Sequence, residues 1–226
     1  MTDTPELRPM GTGEASPLLI DDVMPNRHAS RVEMLVVEAD PGPTYAALRE
    51  LDFMSVHSPL MDAATWARRL PERIAVATGR REPTPPPPAM RLSEMFDRAP
   101  GEQPPDDAMA MWMPLGEDPG RELVFGAVGR FWQPDIEWKQ IEPHMFRAFG
   151  ESGWGKIAAN LCVMPFGVER SIASYEARTV MTDEVSRAKF LRYWRVVSPF
   201  VGTVLRSVLK SAKREVESPS PGAPSD

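Results

Sequence analysis

Four side chains in the C-terminal half could move protons or hold an anion: His144, Tyr175, Glu176 and Arg178. Three of them lie in one stretch, SIASYEARTVM, residues 171–181. If that stretch is a strand, Glu176 and Arg178 share a face with Ile172, Ser174 and Val180, because side chains alternate along a strand. Turned toward an apolar interior, the carboxylate and guanidinium would have to pair with each other or with a ligand, since either alone is costly to bury. Desolvation would raise the pKa of Glu176, whereas Arg178 would lower it. The opposite parity puts Ala173, Tyr175 and Ala177 inward and leaves Glu176 and Arg178 as an exposed cross-strand pair. Both parities remain open at this level. His144 could work as an acid or base at a cavity mouth, or stand in a loop without a role. Asn160 interrupts an apolar run and could bond a ligand carbonyl or the backbone.

Several chemistries are excluded or disfavoured by residue type and spacing. His28, His57 and His144 form no pair at metal-ligand spacing, and there is no HExxH sequence. The single cysteine, Cys162, rules out an internal disulfide and a cysteine-cluster metal site. No metal, cofactor or catalytic set at a diagnostic spacing is therefore expected. Gly150, Gly155 and Lys156 match a phosphate-loop spacing, but Ile157 stands where Ser or Thr must bind magnesium. A net charge of -6 disfavours nucleic acid as a partner. VVSPFVGTVL falls well short of the roughly 20 apolar residues that span a bilayer, so no stable membrane insertion is expected. The opening MTDTPELRPMGTG lacks the apolar core of a secretory signal, which points to the cytoplasm. Oligomeric state is not legible.

The elements that must position these residues begin with the last one. Val185, Phe190, Trp194, Val197, Val201, Val204, Leu205, Val208 and Ala212 recur mostly at steps of three and four, which predicts an amphipathic helix over 183–215. Pro199 stands mid-span, and a kink is expected over 195–199. Upstream, residues 31–38 read as a strand. Asp40 caps a helix whose first turn tolerates Pro41 or Pro43, with Tyr45, Leu48 and Leu51 as its buried stripe. A second helix is expected over 59–76, then a polyproline connector over 78–89. Strands follow over 91–96, 108–115, 121–132, 144–149, 156–164 and 169–181, with a turn at 116–120 and a loop over 133–143. Met109, Met111 and Met113 would share one face. In the 121–132 strand, Leu123, Phe125, Ala127 and Phe131 share one face, and Val124, Val128 and Trp132 the other. Gly126 and Gly129 would allow curvature or close backbone approach. Residues 1–17 and 215–226 read as disordered tails around a single domain, 18–214.

Helices segregated from a run of antiparallel strands make the fold class α+β. The order, with VEADPGPTYAALRELD, EDPGRELVFGAVGRFW, and YEART followed by FLRYWRVVSP, resembles the START-like helix-grip superfamily (SRPBCC, polyketide cyclase and lipid-transport proteins), in a bacterial branch. The resemblance covers about residues 31–214. It implies a curved antiparallel sheet wrapped around the C-terminal helix, with two short helices after the first strand. It also implies a hydrophobic cavity between sheet and helix for a lipid, sterol or polyketide.

The leading expectation is therefore a binder of a hydrophobic small molecule. Its wall would come from Phe125, Ala127, Phe131, Leu161, Val163, Trp194, Val197 and Val201, with Glu176 and Arg178 as polar candidates. A second expectation is a cyclase, dehydratase or hydrolase of a polyketide-like substrate, for which only Glu176, Arg178, His144 and Tyr175 could supply acid or base. A third is a partner-binding protein whose interior is filled by its own side chains, Phe190, Trp194 and Phe200 among them.

Overall fold

The computed structural model describes residues 16–53, 91–99, 111–133 and 136–218. In chain order the elements are α1 (Leu19–Val23), β1 (Ala29–Val37), α2 (Pro41–Glu50), α3 (Leu92–Phe96), β2 (Met113–Asp118), β3 (Glu122–Gly129), β4 (Trp138–Lys139), a 3-10 turn (Pro143–Met145), β5 (Gly155–Pro165), β6 (Ser171–Met181) and α4 (Glu184–Glu217). The six strands form one antiparallel sheet in the order β1-β6-β5-β3-β2, with β4 on the same edge of β3 as β2. With α4 lying across one face, this is the expected α+β helix-grip arrangement.

Both faces of the sheet are covered. On the inner face, α2, α3 and α4 pack over Leu123, Phe125, Leu161 and Tyr175. On the outer face, Ile20 of α1, Met24 just after it and Phe146 pack over Val124, Val128 and Ala158. Every residue of β3 is buried in consequence, so its sequence cannot show the apolar–polar alternation of a half-exposed strand.

α4 is a single helix of 34 residues, about 50 Å at 1.5 Å per residue, and passes through Pro199 without interruption. Asp183 caps it: one carboxylate oxygen accepts from the Ser186 amide at 2.9 Å, the other from the Gly153 amide at 2.5 Å. These bonds hold the Asp183 carboxyl at about 2, below its ordinary 3.8. At the far end Lys213 Nζ donates to the Val36 carbonyl at 2.6 Å, and Glu217 accepts from the Glu38 amide at 2.7 Å. The helix is thus fastened to β1 at one end and to the β6 junction at the other. Between these points Gly202 lies so close to β1 that a Cβ there would stand 2.6 Å from Arg31 Nε. Phe190, Leu205, Val208 and Ala212 are buried as the spacing predicts, and Leu209 joins them. Val185, at 66% exposure, and Phe200, at 44%, face away, contrary to expectation.

Other expectations are corrected. Residues 92–96 form α3 rather than a strand; Ser93 Oγ donates to Glu50 and Arg49 pairs with Asp97, fixing α3 to α2. The 144–149 stretch is a 3-10 turn opened by Pro143, with Phe146 as its buried anchor. The loop after 133 contains β4. β2 continues through Gly116 to Asp118, because the register slips at Leu115, and the turn is displaced to 118–121. Gly126 makes room for that slip: a Cβ there would stand 2.6 Å from Leu115 Cδ1 and 2.7 Å from the Ile157 carbonyl oxygen. α4 runs through 217, two residues past the end expected at 215. The expected helix at 59–76, the polyproline connector, the 108–110 start of the strand, and tail residues 1–15 and 219–226 lie outside the described residues. Among the described residues, no helix is long and apolar enough to cross a membrane.

Candidate functional site

The inner face is built from alternate residues of the three central strands. Odd-numbered residues of β3, β5 and β6 point inward, so register places Leu123 beside Leu161 and Leu161 beside Tyr175. Phe125 and Tyr175 lie with ring centroids 6.2 Å apart, and Phe53 stands edge-on to both, at 6.2 and 6.3 Å. From there the rings continue along the face. Trp112 is 5.5 Å from Phe125, Trp138 is 6.4 Å from Trp112, and Phe131 is 6.4 Å from Trp138. Phe190 on α4 is 5.8 Å from Phe131, and Trp194 is 5.7 Å from Phe190. Mostly edge-to-face and tilted contacts of this kind hold rings without stacking them flat.

Tyr175 brings a hydroxyl to this otherwise apolar group of rings. Tyr175 is 7% exposed, and its hydroxyl makes no hydrogen bond among the described residues. Burial pushes its pKa above the ordinary phenol value. At neutral pH it is therefore a neutral donor and acceptor, suited to bond a carbonyl or hydroxyl and unsuited to act as a base. Tyr45, nearer the α2 end, differs: its hydroxyl donates to Glu117 at 2.5 Å, and Glu117 also accepts from Arg49.

The ten residues singled out in the sequence separate into groups. Phe125, Leu161, Val163 and Val201 pack in one cluster on the inner face, and Phe131 and Trp194 in the adjoining one. Ala127 is fully buried on the same parity, and Val197 is half-buried on α4. Glu176 and Arg178 are on the outer face, so the placement inside the chamber is corrected. The exposed-pair alternative does not hold either, because Arg178 is only 5% exposed. Arg178 bonds both carboxylate oxygens of Glu176, at 2.8 and 3.0 Å, pairs with Asp21 at 2.7 Å, and donates to the Met24 carbonyl at 3.2 Å. Burial works against its charge, but the two carboxylates outweigh it and its pKa is raised.

The outer polar row is an anchor for α1. Buried Glu122 accepts from the Leu19 amide at 2.7 Å and the Ile20 amide at 3.3 Å, at the amide end of α1, while Arg178 holds the carbonyl end. Asn160 belongs to this row as well: its amide nitrogen donates to Glu122 at 2.6 Å, and its Oδ1 is buried without a partner. His144 is exposed on the 3-10 turn. Of the four acid–base candidates, only Tyr175 is on the inner face. Sequence reading missed Phe53, Trp112 and Trp138 as members of that face. Trp112 precedes its strand and Trp138 sits in a two-residue strand, so neither had enough flanking pattern to show a side. Among the described residues, no cluster of His, Cys, Asp or Glu could hold a metal.

No protein-family model matches the sequence. Among the curated proteins, none matches. Two solved proteins show a likeness at 11–12% identity. One is norcoclaurine synthase from Thalictrum flavum, whose structure matches with a TM-score of 0.38 at 12% identity over 95% of this chain and 100% of that one. The other is the Zhui aromatase/cyclase from a Streptomyces species, with a TM-score of 0.27 at 11% identity over 84% of this chain and 96% of that one.

Proposed function

We propose that this protein binds an apolar small molecule bearing a carbonyl or hydroxyl group, between the inner face of the sheet and α4. The observation that carries this reading is Tyr175, packed against Phe53 and Phe125, whose hydroxyl makes no hydrogen bond among the described residues. A ligand acceptor would give that hydroxyl a hydrogen bond worth about 0.5–1.5 kcal/mol net. The rings around it supply area and shape, and the hydroxyl supplies orientation. The reading is one of binding rather than catalysis, since Glu176, Arg178 and His144 stand on the far side of the sheet from Tyr175. The test is native mass spectrometry of protein purified without detergent, followed by titration with the neutral probe N-phenyl-1-naphthylamine, read by energy transfer from the tryptophans. Saturable one-to-one uptake is expected; protein that neither carries nor takes up an apolar molecule contradicts it.

The ring-to-ring contacts along the inner face favour a second reading, in which the protein's own side chains fill the interior and its surface engages a partner. Xenon uptake separates the two. Protected methyl and aromatic resonances of Leu161, Phe125 and Tyr175 shift with xenon pressure only if room is left beside them.

A further inference from the structure

A pocket of about 270 Å³ opens on the outer face, between the C-terminal end of α1, the loop after the 3-10 turn, and the ends of β5 and β6. Its apolar lining includes Val23, Met24, Phe149 and Val180, and its charged lining is Arg147 and Lys156. No carboxylate lines it. Lys156 Nζ donates to the carbonyls of Phe146 and Arg147, each at 3.1 Å. An ammonium has three donors, so one remains. The Arg147 guanidinium has no carboxylate and no hydrogen bond among the described residues. Neighbouring cations are arranged otherwise: Arg178 has Glu176 and Asp21, Arg130 has Glu137 at 2.8 Å, and Lys139 has Glu151. Two residues with cationic side chains and no carboxylate partner among the described residues thus line one pocket.

We propose that this outer pocket is a binding site for a small organic anion, a carboxylate on a short apolar or aromatic body. Arg147 receives the carboxylate as a planar fork, Lys156 adds its free donor, and Val23, Phe149 and Val180 take the apolar body. Its volume lies under the roughly 300 Å³ at which pockets for larger ligands begin, which limits the guest to about the size of benzoate. Burial lowers the pKa of Lys156, as expected of a partly desolvated cation with no counter-charge. The site lies across the sheet from Tyr175 and does not depend on the inner-face reading.

The experiment is an amide chemical-shift titration of the full chain with benzoate, inorganic phosphate and neutral benzyl alcohol. Benzoate is expected to saturate with a Kd on the order of 1 mM, moving the amides of Val23, Phe149, Lys156 and Val180. Arg147→Ala, at an exposed position, should weaken it at least about tenfold, roughly what loss of a single charge-assisted contact gives. Lys156→Met should weaken it as well; if that variant fails to fold, Arg147→Ala carries the test alone. Benzyl alcohol should not saturate, and phosphate should bind more weakly than benzoate. Benzoate shifts scattered over the surface, shifts unchanged in Arg147→Ala, or phosphate bound as tightly as benzoate would each overturn the proposal.

Discussion

The two faces of the sheet bury comparable side chains for opposite reasons. The inner face, under α4, is a run of aromatic and aliphatic residues around Tyr175, whose hydroxyl makes no hydrogen bond among the described residues. The outer face, under α1, carries Glu122, Asn160, Glu176 and Arg178, whose charges meet one another and the ends of α1. Charge on the outer face thus fastens an element, while on the inner face Thr44 and Ser171 bond each other at 2.9 Å and the Tyr175 hydroxyl makes no hydrogen bond among the described residues.

If the outer row is structural, breaking it should affect folding and leave inner-face binding alone. Arg178→Leu strands Glu176 and frees the carbonyl end of α1. It should destabilise the protein by about 3 kcal/mol in urea unfolding, the low end for a broken buried pair because half-exposed Asp21 can rehydrate. Uptake of N-phenyl-1-naphthylamine below the transition should be unchanged; a loss of uptake with no loss of stability would return Arg178 to the site. The converse substitution on the inner face is Tyr175→Phe. Because the hydroxyl makes no hydrogen bond among the described residues, its removal should change stability by less than about 0.5 kcal/mol. It should also weaken a carbonyl-bearing guest several-fold more than a hydrocarbon of the same shape. Destabilisation would mean that the hydroxyl is already bonded in the folded protein.

The smallest expected effect lies at the seam of the faces, where Asp183 joins α4 to the Gly153 turn. Its folded pKa, about 2, is depressed from 3.8, so its contribution is present above pH 3.8 and is lost as pH falls through about 2. Asp183→Asn keeps a capping oxygen but does not titrate. Acid unfolding of the wild type between about pH 4 and pH 2 should therefore be steeper than that of the variant, and equal slopes would remove Asp183 from the acid response.

The architecture was legible where a long period could be counted. The spacing over 183–215 located α4, and the apolar runs bounded by turns over 121–132, 156–164 and 169–181 located β3, β5 and β6. It failed where segments were short. Five residues, LSEMF, are too few to separate a helical from a strand period, and Pro143 started a 3-10 turn in a stretch that alternates like a strand. The parity of β6 failed for a different reason. Both faces of the sheet are covered, so apolar alternation carries no sign, and Glu176 and Arg178 looked equally suited to a chamber or to solvent. Their actual place depends on α1, a five-residue helix more than 150 positions away. No local pattern encodes that contact.

Intermolecular nuclear Overhauser effects between bound N-phenyl-1-naphthylamine and the protein test the inner-face reading most directly. Cross-peaks to the rings of Phe125 and Tyr175, absent from the exposed Val196 and Phe200 of α4, are the expected result. Cross-peaks confined to Val196 and Phe200, or none at saturating probe, would contradict it.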